Sequence, residues 1–166
     1  IIHPPVNVDF FKPSENPQKK YFLTVSALVP YKNTRLLIET FNEIGQKLII
    51  VGKGPEERKL KRIASKNIEF KKDVTNEELK GLYQDAKAFI FAGIEDFGIS
   101  FVEAQSCGIP VIAYKKGGVL DIVEQGKTGV LFENQTINDI KKAINDFERL
   151  TIEHLYIRKS SLRFSK

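Results

Sequence analysis

Methionine and tryptophan are absent from this sequence, and cysteine occurs once, at Cys107. A single thiol closes no internal disulfide and builds no cysteine-rich zinc cluster, so a reducing, cytoplasmic setting is expected. Histidine is almost as scarce, with His3 and His154 only. No Ser-His-Asp or Cys-His arrangement and no metal-ligand spacing is visible, so no metal site is expected. Long hydrophobic runs are missing too. Ala88–Ile94 is among the longest, far short of the roughly 20 residues that cross a bilayer. No leader pattern opens the chain. Without methionine and beginning at Ile1, it reads as a piece excised from a longer protein.

What is present is an ordinary globular composition, 42% hydrophobic and 28% charged over 166 residues, enough for one domain with its own core. The net charge of +5 raises the question of nucleic acid. Its distribution argues against that partner. Residues 149–166 hold Arg149, Arg158, Lys159, Arg163 and Lys166 against Glu153 alone, a net of +4. The excess belongs to a tail with little aromatic interleaving. This tail is expected to be a solvated helix, or one that docks on a part of the protein beyond this chain. A peripheral contact with the cytoplasmic membrane face, or with RNA, is the minority reading.

Residues 1–20 carry Pro4, Pro5, Pro13 and Pro17 and read as a linker. Short apolar runs then alternate with helical periodicity. Strands are expected at Tyr21–Ala27, Leu48–Val51, Ile68–Lys71, Ala88–Ala92, Val111–Tyr114 and Val130–Phe132. Between them, Leu37, Ile38, Phe41 and Ile44 mark a helix stopped by Gly45. Leu60, Ile63 and Ala64 mark one opened by Pro55. A Thr75–Glu78 capping box precedes Leu79, Leu82, Tyr83 and Ala86. Ile99–Cys107 is a helix stopped by Gly108, Val119–Val123 a short one stopped by Gly126, and Ile137 to Phe147 the last well-formed one. Six β–α units, with strands apolar on both faces, predict a doubly wound α/β domain: a six-stranded parallel sheet with helices on both faces. Its domain body is 21–150, and 151–166 is a truncated basic tail. Ligands of such sheets bind at the carboxyl ends of the strands.

The richest loop there is Gly93-Ile94-Glu95-Asp96-Phe97-Gly98-Ile99-Ser100-Phe101-Val102-Glu103. Gly98 stands at a helix start whose amides suit a phosphate. Glu103 suits a ribose diol and Glu95 suits sugar hydroxyls. On spacing alone, carboxylates favouring the positive helix end, with Glu103 on the surface, are the simpler account. Gly93 and Gly98 have the spacing of a phosphate-binding loop, but Ile99 stands where its lysine belongs, so a nucleoside-triphosphatase is rejected. Val51-Gly52-Lys53-Gly54-Pro55 lacks the third glycine of a dinucleotide fingerprint; close backbone approach to a ligand and a plain turn are equally good readings. Gly117-Gly118 reads as a flexible loop at the same edge. Lys32 would meet a diphosphate there, or be one more solvated lysine.

Taken in order, these segments resemble the C-terminal half of a retaining glycosyltransferase built of two Rossmann domains, as in glycosyltransferase family 4 (group 1). The likeness runs through HPPVNVDFF (3–11), LVPYK (28–32), IIVGKGPE (49–56), TNEELKGLYQDAKAFIF (75–91), EDFGISFVEAQSCG (95–108), GIPVIAYKKGGVLDIVEQGKTGVLF (108–132) and LRFSK (162–166). It implies that Glu103 binds ribose, that Glu95, the catalytic candidate, contacts the donor sugar, and that amides around Phe97, Gly98 and Ile99 meet sugar or diphosphate. Lys32 then binds the diphosphate, and the backbone at Asp73 and Val74 flanks the base. Many members carry Gly-Arg where this chain has Ser26-Ala27, which leaves Lys32 as the main cation, aided by Lys53 or Arg35. A common glycine near the base is Lys72 here.

The expected activity is hexosyl transfer, mannosyltransferase-like, from a nucleotide-sugar, GDP-mannose first and a UDP-sugar second. The donor is a substrate, and no cofactor or metal is expected. The partner is an acceptor-binding N-terminal domain outside this chain. The rivals are a non-catalytic nucleotide-binding or protein-interaction domain of the same fold and, ranked lower, a nucleotide-sugar epimerase.

Overall fold

A computed structural model describes residues 5–165. Six strands form one sheet: β1 (Tyr21–Val25), β2 (Leu48–Val51), β3 (Ile68–Lys71), β4 (Ala86–Phe91), β5 (Val111–Tyr114) and β6 (Gly129–Phe132). All neighbours pair in parallel, in the order β3-β2-β1-β4-β5-β6. The helices are α1 (Thr34–Ile44), α2 (Glu57–Ile63), α3 (Asn76–Gln84), α4 (Ile99–Ser106), α5 (Ile137–Arg149) and α6 (His154–Ser161). The winding reverses between β1 and β4, so this is the doubly wound, Rossmann-like sheet that the alternation predicts, and the reversal opens a crevice at the strands' carboxyl ends.

Strand alternation sorts the core into two layers. Leu23, Ile49 and Phe89 face one way, with Tyr83 of α3 and Phe101 and Val102 of α4. Phe22, Ile50 and Ile90 face the other, with Phe41 of α1, Leu60 of α2 and Ile144 of α5. Each fully buried large side chain contributes about 1.5–3 kcal/mol. Among the described residues, no helix is long and apolar enough to cross a membrane.

Several boundaries differ from expectation. β1 stops at Val25, two residues early, although Ser26 N–H and Leu28 N–H still bond to Val51 and Lys53 carbonyls. Ala86 belongs to β4 rather than α3, where it pairs with Tyr21 before a register shift. Lys87 interrupts the apolar pattern there, and its ammonium donates to Gln46 Oε1 at 3.3 Å. β3 is apolar on one face only: Ile68 is buried while Glu69 is exposed and paired with Lys71 at 3.1 Å. It is an edge strand, and charge on an edge discourages further pairing. Pro55 lies just before α2, and of that helix only Leu60 is buried. The short helix expected at Val119–Val123 is a single 3-10 turn, Gly118–Asp121.

The two ends are more engaged than a linker and a solvated tail. His3 and Pro4 lie outside the described residues. From Pro5 to Lys20 there is no helix or strand, yet Val6, Val8 and Phe11 are buried, with Phe11 edge-on to Tyr83 at 5.8 Å. α6 packs on α4 of this same chain. Its Arg158 donates to the carbonyls of Val8 (2.6 Å), Phe11 (2.9 Å) and Ser106 (3.2 Å).

Candidate functional site

The crevice is walled by the segments after β1, β4 and β5. After β1, a 3-10 turn at Pro30–Lys32 uses proline where a preset φ is an advantage, and Asn33 at φ 55° hands the chain to α1. This turn holds Lys32 at 8% exposure. Its ammonium pairs with Glu95 Oε2 and lies 5.0 Å from the Tyr31 ring centre and 5.8 Å from that of Phe91. Ammonium over aromatic faces is attractive, so the charge is held by rings as well as by the carboxylate. Glu95 is fixed in turn by the segment after β5. Gly118 N–H donates to the Glu95 carbonyl at 2.7 Å, and a lone parallel bridge joins Glu95 to Gly117.

Three residues on, Gly98 caps α4 with φ 69°, a conformation that favours glycine, and a Cβ there would run into Ile122. Gly98 offers α4 no side-chain cap, and the amides at a helix start suit an anion. Phe97 and Ile99 flank the cap and are exposed. One turn into the helix, half-buried Glu103 accepts a hydrogen bond from Tyr83 Oη at 2.9 Å. Burial pushes the Glu103 carboxyl above its usual range, and the Tyr83 bond acts against that shift.

The structure therefore brings Lys32 and Glu95 into contact and strings Phe97, Gly98, Ile99 and Glu103 along the start of α4. The remaining candidates sit on neighbouring segments. A Cβ on Gly52 would strike the Ser26 carbonyl oxygen, so its glycine is required by the crossing of two backbone segments. Half-buried Val74 packs against the core layer of α3 and α4. It is Asp73, not Lys72, that takes positive φ, 55°. Lys53 pairs with Asp73 at 2.9 Å, Lys72 with Glu57 at 3.3 Å and Arg35 with Glu39 at 3.6 Å. None of these three cations joins Lys32. Among the described residues, no three His, Cys, Asp or Glu side chains gather as a metal site.

Residues 6–162 match the family of glycosyl transferases group 1. The chain belongs to this family.

Among the relatives of this group 1 chain, a GDP-mannose-dependent alpha-(1-6)-phosphatidylinositol monomannoside mannosyltransferase of Mycolicibacterium smegmatis is 33% identical over 140 residues, covering 74% of this chain and 37% of the relative. A probable sucrose-phosphate synthase of Thermosipho melanesiensis is 34% identical over 176 residues, covering 92% and 41%. The chain thus spans well under half the length of these curated relatives. Solved structures show the fold again. Anabaena Alr3699/HepE in complex with UDP and glucose superposes with a TM-score of 0.82 at 20% identity, over 99% of this chain and 52% of that one. The C-terminal domain of a group 1 family protein, LpcC, from Francisella tularensis gives 0.71 at 21% identity, over 94% and 92%.

Two features of the site escaped the sequence reading. Gly117-Gly118 is a backbone clamp on Glu95 rather than a flexible loop. Tyr83 was read as an apolar helix position only. The signal was its hydroxyl, because a tyrosine on an inward face needs a buried partner.

Proposed function

We propose that this chain is the nucleotide-sugar donor domain of a retaining, metal-independent glycosyltransferase that moves a hexose. GDP-mannose is the first-choice donor and a UDP-sugar the second. The observation that carries the reading is the placing of Lys32, Glu95 and the uncapped start of α4 at one switch-point edge, with Glu103 one turn further on. The name of the mycobacterial relative supports a GDP-mannose donor, and the UDP and glucose of the Anabaena structure support a nucleotide-sugar of the second kind.

In this reading the diphosphate takes the Lys32 ammonium from Glu95 and rests against the first amides of α4. These donors are aimed where negative charge grows as the sugar departs. Glu95, released from Lys32 but still held by Gly118, turns its carboxylate to the hydroxyls of the sugar. Glu103 accepts hydrogen bonds from the ribose. The sugar acceptor is bound by the part of the protein beyond this chain, at the cytoplasm or the cytoplasmic membrane face.

Calorimetric titration of the 166-residue chain with GDP and UDP tests this. Weak but measurable binding, unchanged by EDTA, is expected. Strict dependence on magnesium or manganese would overturn the metal-free reading. Absence of binding by either nucleotide would favour a protein-interaction domain.

A further inference from the structure

Among the described residues Tyr83 is the largest fully buried side chain, and it sits on α3. Its ring is locked between Phe11, edge-on at 5.8 Å, and Phe89, tilted at 6.2 Å. The ring is held in place by these contacts, and its hydroxyl lies beside Ser100 as well as Glu103. That hydroxyl donates to Oε1 of Glu103. Glu103 as a whole is only half-buried, so the carboxylate is not sealed from solvent. Glu103 thus gives Oε1 to a fixed donor, which leaves Oε2 for another partner.

Simple satisfaction of a buried phenol does not need a carboxylate. Tyr21 shows the cheaper solution, donating to the backbone carbonyl of Leu82 at 2.8 Å. Placing a carboxylate beside Tyr83 costs its desolvation, which pushes Glu103 towards protonation. The return is orientation. An unrestrained glutamate loses rotamer freedom when it binds, and one already held loses less.

We propose that Tyr83 is a positioning residue: its phenol holds Glu103 with Oε2 turned towards the ribose hydroxyls, and so sets the preference for a ribonucleotide. This rests on the assignment of Glu103 to the ribose above. Tyr83 itself touches no substrate.

The test is calorimetry on the 166-residue chain with GDP and UDP, each beside its 2′,3′-dideoxy analogue. The wild type prefers the ribonucleotide by roughly tenfold or more, the scale of a hydrogen bond to a charged group. Tyr83→Phe reduces that preference several-fold and leaves affinity for the dideoxy analogue unchanged, which a merely structural loss would not do. Glu103→Asp leaves the tyrosine core intact and withdraws the carboxylate from the phenol, and it gives the same pattern. If Glu103→Gln abolishes the preference while Tyr83→Phe or Glu103→Asp retains it in full, the positioning role is wrong and the ribose assignment stands. If Glu103→Gln also retains the preference, the ribose assignment fails and the proposal falls with it. Absence of any nucleotide binding by the wild type overturns both.

Discussion

Glu103 shows how far one residue can be drawn between stability and binding. Its carboxyl is raised above its ordinary range by burial, with Tyr83 opposing. A group whose folded pKa is raised holds its proton more tightly in the folded state than in the unfolded one. Its contribution to stability is complete below the ordinary glutamate value, and it is lost as the pH climbs through the raised value. Glu103→Gln removes that loss, because the amide keeps an oxygen for Tyr83 and carries no charge. The variant should therefore melt with the wild type at a pH below the ordinary glutamate value, and above the wild type at a pH where Glu103 is ionised. Over the same comparison, nucleotide affinity should weaken by about 1.5–3 kcal/mol, the worth of hydrogen bonds to a charged acceptor. Thermal scans at the two pH values, with calorimetry at the upper one, check both halves. A glutamine variant that melts below the wild type at neutral pH would place Glu103 in the structural framework instead.

Two element starts, those of α3 and α4, are built on opposite principles. α3 begins with a complete capping box, in which Thr75 accepts from Glu78 N–H at 3.1 Å and Glu78 accepts from Thr75 N–H at 3.1 Å. α4 begins at Gly98 with no side-chain cap. Thr75→Ala should cost about 1 kcal/mol in urea unfolding and leave nucleotide affinity unchanged. Gly98→Ala should cost roughly 1–2 kcal/mol for the left-handed backbone alone, and it should weaken nucleotide binding as well, because the amides it aims are shifted. If both variants lose stability and neither loses affinity, the start of α4 is not a ligand seat. The capping box was legible in the sequence because it is written in four consecutive positions. So were the six strands in their succession along the chain, the parallel sheet and the loop holding Glu95 and Gly98. The early start of β4 was not, because Lys87 breaks the apolar pattern and its tolerance depends on Gln46, 41 residues away in the chain. The Lys32–Glu95 pair spans 63 residues and Arg158 to Val8 spans 150. Partners that the fold brings together leave no periodicity to read.

At the scale of the whole molecule, the proposed reading makes the crevice one side of a reaction that needs two. Transfer requires an acceptor oxygen in line with the sugar carbon, and holding two reactants so can account for about 7–11 kcal/mol of the barrier. This chain spans 37% and 41% of two relatives named for complete activities. Around its crevice Tyr31, Phe97, Ile99 and Leu120 expose large apolar surface on the loops that wall the site. On the proposed reading, such surface would meet the acceptor and the acceptor-binding part beyond this chain. The 166-residue chain should therefore bind nucleotide and transfer no measurable sugar, even with saturating donor. The longer protein should transfer it with anomeric configuration retained. In that protein Glu95→Ala should lower turnover more than it lowers GDP or UDP affinity. The carboxylate it removes is partnered with Lys32 in the free domain, so its loss leaves the ammonium available to the diphosphate while the sugar loses a hydrogen-bond acceptor. Steady-state turnover beside nucleotide titration separates the two effects. Equal losses in both would assign Glu95 to the nucleotide, and robust transfer by the 166-residue chain would mean that the donor edge alone positions both reactants.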